Sequence, residues 1–196
     1  NNEILKDKNK FFFNAILIGI FLFLATAFQQ VALVYTDVAN AAFFTIFYVP
    51  MVPIIVFFLF KKTIHWSVWP AVALCVLGGY LLTNFHNAEV RLGDTLVVIG
   101  ALFWSLHIIY IGKIIETFDV PIFIGLIQTF IVCICSIIVA LIFEEFILED
   151  ILGQKLQILY AGSLSAGIAF VLQIYAQKNI QPTPSAIIFS LEGVVA

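Results

Sequence analysis

The chain has 196 residues, of which 63% are apolar and 11% charged, with a mean hydropathy of +1.12 and a formal net charge of −3. Soluble domains carry roughly a quarter charged residues, so this composition excludes an ordinary soluble fold and points to an all-α polytopic membrane protein. No basic run is present to bind nucleic acid.

In chain order, six apolar stretches are long enough to span a bilayer. They run from Phe11 to Tyr35, Val38 to Phe60, Trp66 to Leu82, Thr95 to Gly112, Val120 to Phe143 and Leu156 to Ala176. A helix rises about 1.5 Å per residue, and a hydrocarbon core of about 30 Å takes about 20 residues. The third and fourth stretches are short by that measure but sufficient. Only Thr36-Asp37 divides the first two, and a single helix through both would reach about 75 Å, so a tight turn is predicted there. Pro50 and Pro53 are expected to kink the second stretch. Trp66 and Trp69 beside Lys61 and Lys62 read as an interfacial anchor. A seventh apolar run from Ala186 to Ala196 follows Pro182-Thr183-Pro184-Ser185 and stops after eleven residues. With Asn1 in place of a methionine, a piece of a longer chain is expected.

Lys6, Lys8, Lys10, Lys61, Lys62, Lys113 and Lys178 fall on one side of the alternating spans, against Arg91 and Lys155 on the other. The lysine-rich side is therefore predicted to be cytoplasmic. Small residues recur every four positions at Ala71, Cys75 and Gly79, at Gly162 and Ala166, and at Ala161, Ser165 and Ala169. Such stripes favour close helix packing in lipid. Cys75, Cys133 and Cys135 lie in apolar stretches with neither zinc nor redox spacing, and read as small packing residues. No metal or cofactor motif, phosphate loop, paired intramembrane aspartates, H-E-x-x-H or G-x-S-x-G is present, so an enzyme is not expected. Neither a filter loop nor a charged ring suggests a channel.

The polar residues inside the spans are the candidates for function. Glu192 falls about 12 Å into the membrane beyond Pro184, where an ionisable group is costly and is a functional hypothesis by default. It either exchanges a proton during a cycle or pairs with a cationic substrate, or else it serves a structural hydrogen bond. Ser185, seven positions earlier, shares its face. Trp104, His107 and Tyr110 follow one another at single helical turns, as a cavity wall that stacks on and hydrogen-bonds a substrate would, or as interhelical packing. Gln29, Gln30 and Thr26 form one polar face, and Gln173 with Gln177 another; amides also serve simply as hydrogen-bonding glue between helices. Tyr48, Gln128 and Tyr175 are weaker candidates.

At an offset of 143 residues Gln30 pairs with Gln173, Ala41-Ala42 with Pro184-Ser185, and Pro50 with Gly193. The paired segments lie five spans apart and so cross the membrane in opposite senses, as in an inverted repeat. The first half carries Ala32-Leu33-Val34-Tyr35-Thr36, Ala41-Ala42 and Pro50. The second carries Gly93-Asp94 leading to Gly100-Ala101-Leu102-Phe103-Trp104, then Ser185-Ala186 leading to Ser190-Leu191-Glu192. In the order and spacing of these residues the chain resembles the EamA-type members of the drug/metabolite transporter superfamily. It departs from many of them at Gly193, where they have proline. The resemblance implies a ten-helix inverted-repeat fold, of which about six full helices and one truncated helix are present. Residues 1–87 would be helices 3–5 of the first repeat and residues 88–196 helices 6–9 of the second. It also implies a secondary transporter, an exporter of small metabolites or drug-like compounds, working by alternating access in a bacterial cytoplasmic membrane. Its partners would then be lipid, a small-molecule substrate and, if Glu192 titrates, a coupling proton. A channel or a non-transporting scaffold is the competing expectation.

Overall fold

In the computed structural model, residues 7–82, 91–145 and 147–191 are described. Among them every regular element is helical. The helices are α1 (Lys8–Ala32), α2 (Val38–Thr45), α3 (Tyr48–Phe60), α4 (Val68–Leu82), α5 (Leu92–Thr117), α6 (Pro121–Phe143), α7 (Leu148–Gly153), α8 (Lys155–Tyr160), α9 (Phe170–Gln177) and α10 (Pro182–Phe189). A π-helical segment, Ala161–Ala169, joins α8 to α9. Five stretches are long and apolar enough to cross a membrane: α1, α2 with α3, α5, α6, and α8 through α9. The chain is an integral multi-pass membrane protein.

Two spans differ from their predicted lengths. The fourth is the longest of the five, at 26 residues. Its helix continues past the apolar run at both ends because the polar residues Asp94, Lys113 and Glu116 belong to its end turns. The third predicted stretch is not among the five, since α4 has only 15 residues and begins at Val68. At about 1.5 Å per residue it covers about 22 Å, less than a full hydrocarbon core. Trp66 and Trp69 stand exposed at its start, as an interfacial pair would.

The kink in the second span lies at Ile46-Phe47, one turn ahead of Pro50. Proline has no N–H for the carbonyl four residues back and its ring crowds that carbonyl. The chain tightens there into i→i−3 bonds, from Ile46 N to Phe43 O at 3.1 Å and from Phe47 N to Phe44 O at 3.2 Å. Pro53 sits inside α3 without breaking it.

Helix α5 is the hub of the bundle, packed against α1, α2, α3, α9 and α10. Half of its apolar window is buried, against 6% in α6 and in the α8–α9 span. Glycines let backbones meet. A Cβ on Gly93 would lie 2.7 Å from the Ala32 carbonyl oxygen, one on Gly19 2.7 Å from Ile131, and one on Gly112 2.8 Å from Pro182. The small-residue stripe at 161–169 does not pack this way. Its residues are exposed or half-buried, and nothing lies within 4 Å of a Cβ placed on Gly162.

The two ends of the bundle are held by polar contacts. At one end Asp94 accepts a hydrogen bond from Thr36 Oγ1 and another from Arg91 N at 2.8 Å, and Arg91 bridges to Asp37 at 2.7 Å. At the other end Lys178 bridges to Asp119 at 2.7 Å. The hydrogen bond to Asp119 raises the Lys178 pKa above its ordinary value.

Candidate functional site

Trp104 and Ser105 are the two central residues of α5, and a chain of polar contacts passes through them. Above Trp104, its indole Nε1–H donates to Gln29 Oε1 on α1 at 3.3 Å. Gln29 Nε2 donates to Thr45 Oγ1 at 3.4 Å, and Thr45 donates to the Ala41 carbonyl at 2.7 Å. Ser105 donates within its own helix to Ala101 and lies 3.3 Å from the Tyr48 carbonyl, just past the kink.

Below Trp104, the His107 and Gln128 side chains are fully buried, with His107 Nε2 3.2 Å from Gln128 Oε1. Phe170 lies against His107 and Trp104. Its ring stacks on Trp104 at 6.1 Å and meets His107 edge-to-face at 6.3 Å, while Trp104 and His107 meet edge-to-face at 5.8 Å. Two turns past Phe170, Gln177 Nε2 donates to the Ile108 carbonyl at 3.4 Å. Gln177 also lines a cavity of about 150 Å³ with Gly112, Glu116, Lys178 and residues 179–181. Five spans thus contribute to one polar and aromatic column, from Thr45 toward the Lys178 end. Its buried atoms His107 Nδ1, Gln128 Nε2 and Gln177 Oε1 have no hydrogen-bond partner among the described residues.

The structure brings together Gln29, Trp104 and His107 from the predicted set, and raises Gln128 from a weaker candidate to the direct partner of His107. It separates Tyr110 from them. Steps of three residues drift by about 60° each on a helix of 3.6 residues per turn. Tyr110 therefore turns toward Phe21 and Phe60, at 5.3 and 6.3 Å, with the Lys113 ammonium 5.5 Å from its ring. Gln30 is exposed, Gln173 half-buried and Tyr175 exposed, so the two amides paired by the 143-residue offset do not share equivalent surroundings. Thr26 bonds back to the Leu22 and Phe23 carbonyls. Ser185 is buried and donates to Gln181 O at 2.9 Å within its own helix. Tyr48 is buried in the α3–α5 packing. Glu192 lies outside the described residues.

Phe170 and Thr45 are functional candidates that the sequence did not single out. Phe170 is one of 21 phenylalanines, and nothing local distinguishes it. Thr45 carries a weak signal as a lone hydroxyl just before the Pro50 kink.

A transporter of Archaeoglobus fulgidus, named as an uncharacterized transporter, is 31% identical over 179 residues, which is 91% of this chain. The chain spans 57% of that relative's length. No solved structure matches the chain. Residues 91–196, which hold Gly93-Asp94, the central aromatic and histidine of α5 and the Ser185-Ala186 segment, match the model of the EamA-like transporter family, and the chain belongs to that family.

Proposed function

We propose that this protein is a secondary transporter of small metabolites or drug-like compounds, working as an exporter by alternating access in a bacterial cytoplasmic membrane. The observation that carries the reading is the column Gln29–Trp104–His107–Gln128–Phe170, half-buried except at its fully buried centre, His107 and Gln128. Polar groups at membrane depth are expensive and mark substrate pathways when they gather in one place. The column runs toward the cavity beside Gln177, the side on which the lysines put the cytoplasm. In this reading the two repeats, divided between residues 1–87 and 88–196, rock around the column. Ser185 and Glu192 supply a second polar wall, and a proton exchanged at Glu192 is the coupling event.

Flux into liposomes holding the protein tests the proposal. Saturable uptake with counterflow, reduced at least about tenfold by Trp104→Ala or His107→Ala, is the expected result. Non-saturable flux would identify a channel, and the absence of flux for every solute in a metabolite panel would identify a scaffold.

A further inference from the structure

Lys61 ends α3 in the left-handed backbone region, at φ 51°, the one non-glycine residue to do so among those described. The chain then runs without regular structure to His65 and enters α4 at Val68. A groove of about 370 Å³ opens at this junction. It is lined by Phe57 near the end of α3, Thr63 and Ile64 in the connection, and Trp69 in the first turn of α4. Three of these four residues are apolar. Ile64 packs against the core shared by α3, α4 and α5, which fixes one wall. Phe57 and Trp69 are exposed, at 51% and 46%.

Charge at this junction has one sign. Between Asp37 and Glu89 the sequence has no acidic residue, and its lysines there are Lys61 and Lys62. Both are exposed, and neither belongs to an ion pair among the described residues. Lys10, Lys113 and Lys178, assigned to the same side, are each engaged, by Asp7, by the Phe60 and Tyr110 rings, and by Asp119. His65 Nδ1 accepts from the Ser67 N–H at 3.4 Å, which leaves its Nε2–H as a further donor. Trp66 and Trp69 put the junction at the level of the lipid headgroups. An apolar groove at that depth gains contacts only when an apolar chain fills it.

We propose that this groove seats part of an acyl chain of an anionic phospholipid, with the lipid phosphate at Lys61 and Lys62. The side is the one that the lysines assign to the cytoplasm, where anionic headgroups attract such residues. A zwitterionic lipid fills the groove equally well but brings its own cation toward the lysines, so the selectivity comes from charge and the seating from the chain. A water-soluble phosphate lacks the chain and gains nothing from the groove. The site is separate from the Gln29–Gln128 column and does not depend on what is transported.

Tryptophan emission tests this in phosphatidylcholine nanodiscs that hold a rising share of a lipid with dibrominated chains. Dibrominated phosphatidylglycerol should half-quench at a mole fraction at least about threefold below that of dibrominated phosphatidylcholine. The preference should vanish in Lys61→Asn with Lys62→Gln, asparagine being suited to the left-handed backbone. It should remain in Lys8→Gln with Lys10→Gln. It should vanish again in Trp66→Phe with Trp69→Phe, which leaves Trp104 as the sole tryptophan. Equal quenching by the two lipids, or a preference that survives the loss of Lys61 and Lys62, overturns the site. So does a preference carried by Lys8 and Lys10, or one still read by Trp104 alone. Glycerol phosphate in the buffer should displace no brominated lipid; displacement would mean that phosphate alone is read, and would overturn the role of the groove.

Discussion

Removing the His107 imidazole alone leaves the Gln128 amide buried with nothing to bond. Hydrogen bonds between membrane helices are worth about 0.6 kcal/mol on average, whereas an unmet buried polar group costs about 1–3 kcal/mol. His107→Leu is therefore expected to destabilise by more than the bond itself is worth. His107→Leu with Gln128→Leu should recover part of that loss, as measured by thermal unfolding in detergent; strictly additive losses would mean the two side chains do not act as a pair. At this scale the sequence disclosed what stood out chemically. Trp104, His107 and Gln29 are polar or amphipathic groups in apolar runs, and each lies in the column. Phe170 was hidden because its contacts with Trp104 and His107 come from its tertiary position, not from any local pattern. Tyr110 was misplaced because a spacing of three does not keep a face over two turns.

Among the helices, the place where α1 ends and α5 begins is the tightest test of packing. Gly93→Ala puts a methyl group 2.7 Å from a backbone carbonyl and from Thr36 Cβ, atoms with little freedom to yield. A loss of about 1–3 kcal/mol is expected, as for overpacking generally. Gly78→Ala in α4 meets nothing within 4 Å and should be neutral or stabilising by up to about 1 kcal/mol through helix propensity. Comparable unfolding temperatures for the two variants would refute the close approach. The neighbouring polar contacts should rank in the same assay. Asp94→Ala removes a buried acceptor of two hydrogen bonds and should cost about 1–3 kcal/mol, while Asp37→Ala removes an exposed ion pair worth at most about 1 kcal/mol and screened by salt. Gly93-Asp94 was legible as a motif but not as a clamp on Thr36, because the two lie 58 residues apart. Span positions were legible from hydropathy. The extra length of α5 was not, since polar end turns extend a helix beyond its apolar run.

For the whole molecule, the lysine distribution predicts orientation. Reporter fusions at Lys6, Lys61, Lys113 and Lys178 should read as cytoplasmic, and fusions at Glu89 and Glu149 as external; a cytoplasmic signal at either glutamate would reverse or break the topology. The ion pairs agree with this sorting of loops, because Asp37–Arg91 and Asp119–Lys178 each join residues assigned to the same side. The class of the protein was legible from composition alone. The 143-residue offset was only a faint alignment, and the two amides it pairs, Gln30 and Gln173, differ in burial.

The position of α5 as hub also sets a timetable for synthesis. When α5 leaves the ribosome, Gln29, Thr45 and the Tyr48 carbonyl are already in the membrane, so Trp104 and Ser105 meet their partners on arrival. His107 does not, because Gln128 follows 21 residues later. At about 5–20 residues per second, the imidazole spends roughly one to four seconds among acyl chains or translocon walls before its amide appears. Slow codons in that interval would lengthen the wait and expose a half-made bundle to membrane proteases. The yield of inserted protein should thus depend on the translation speed of this short stretch more than on that of the same length of message elsewhere.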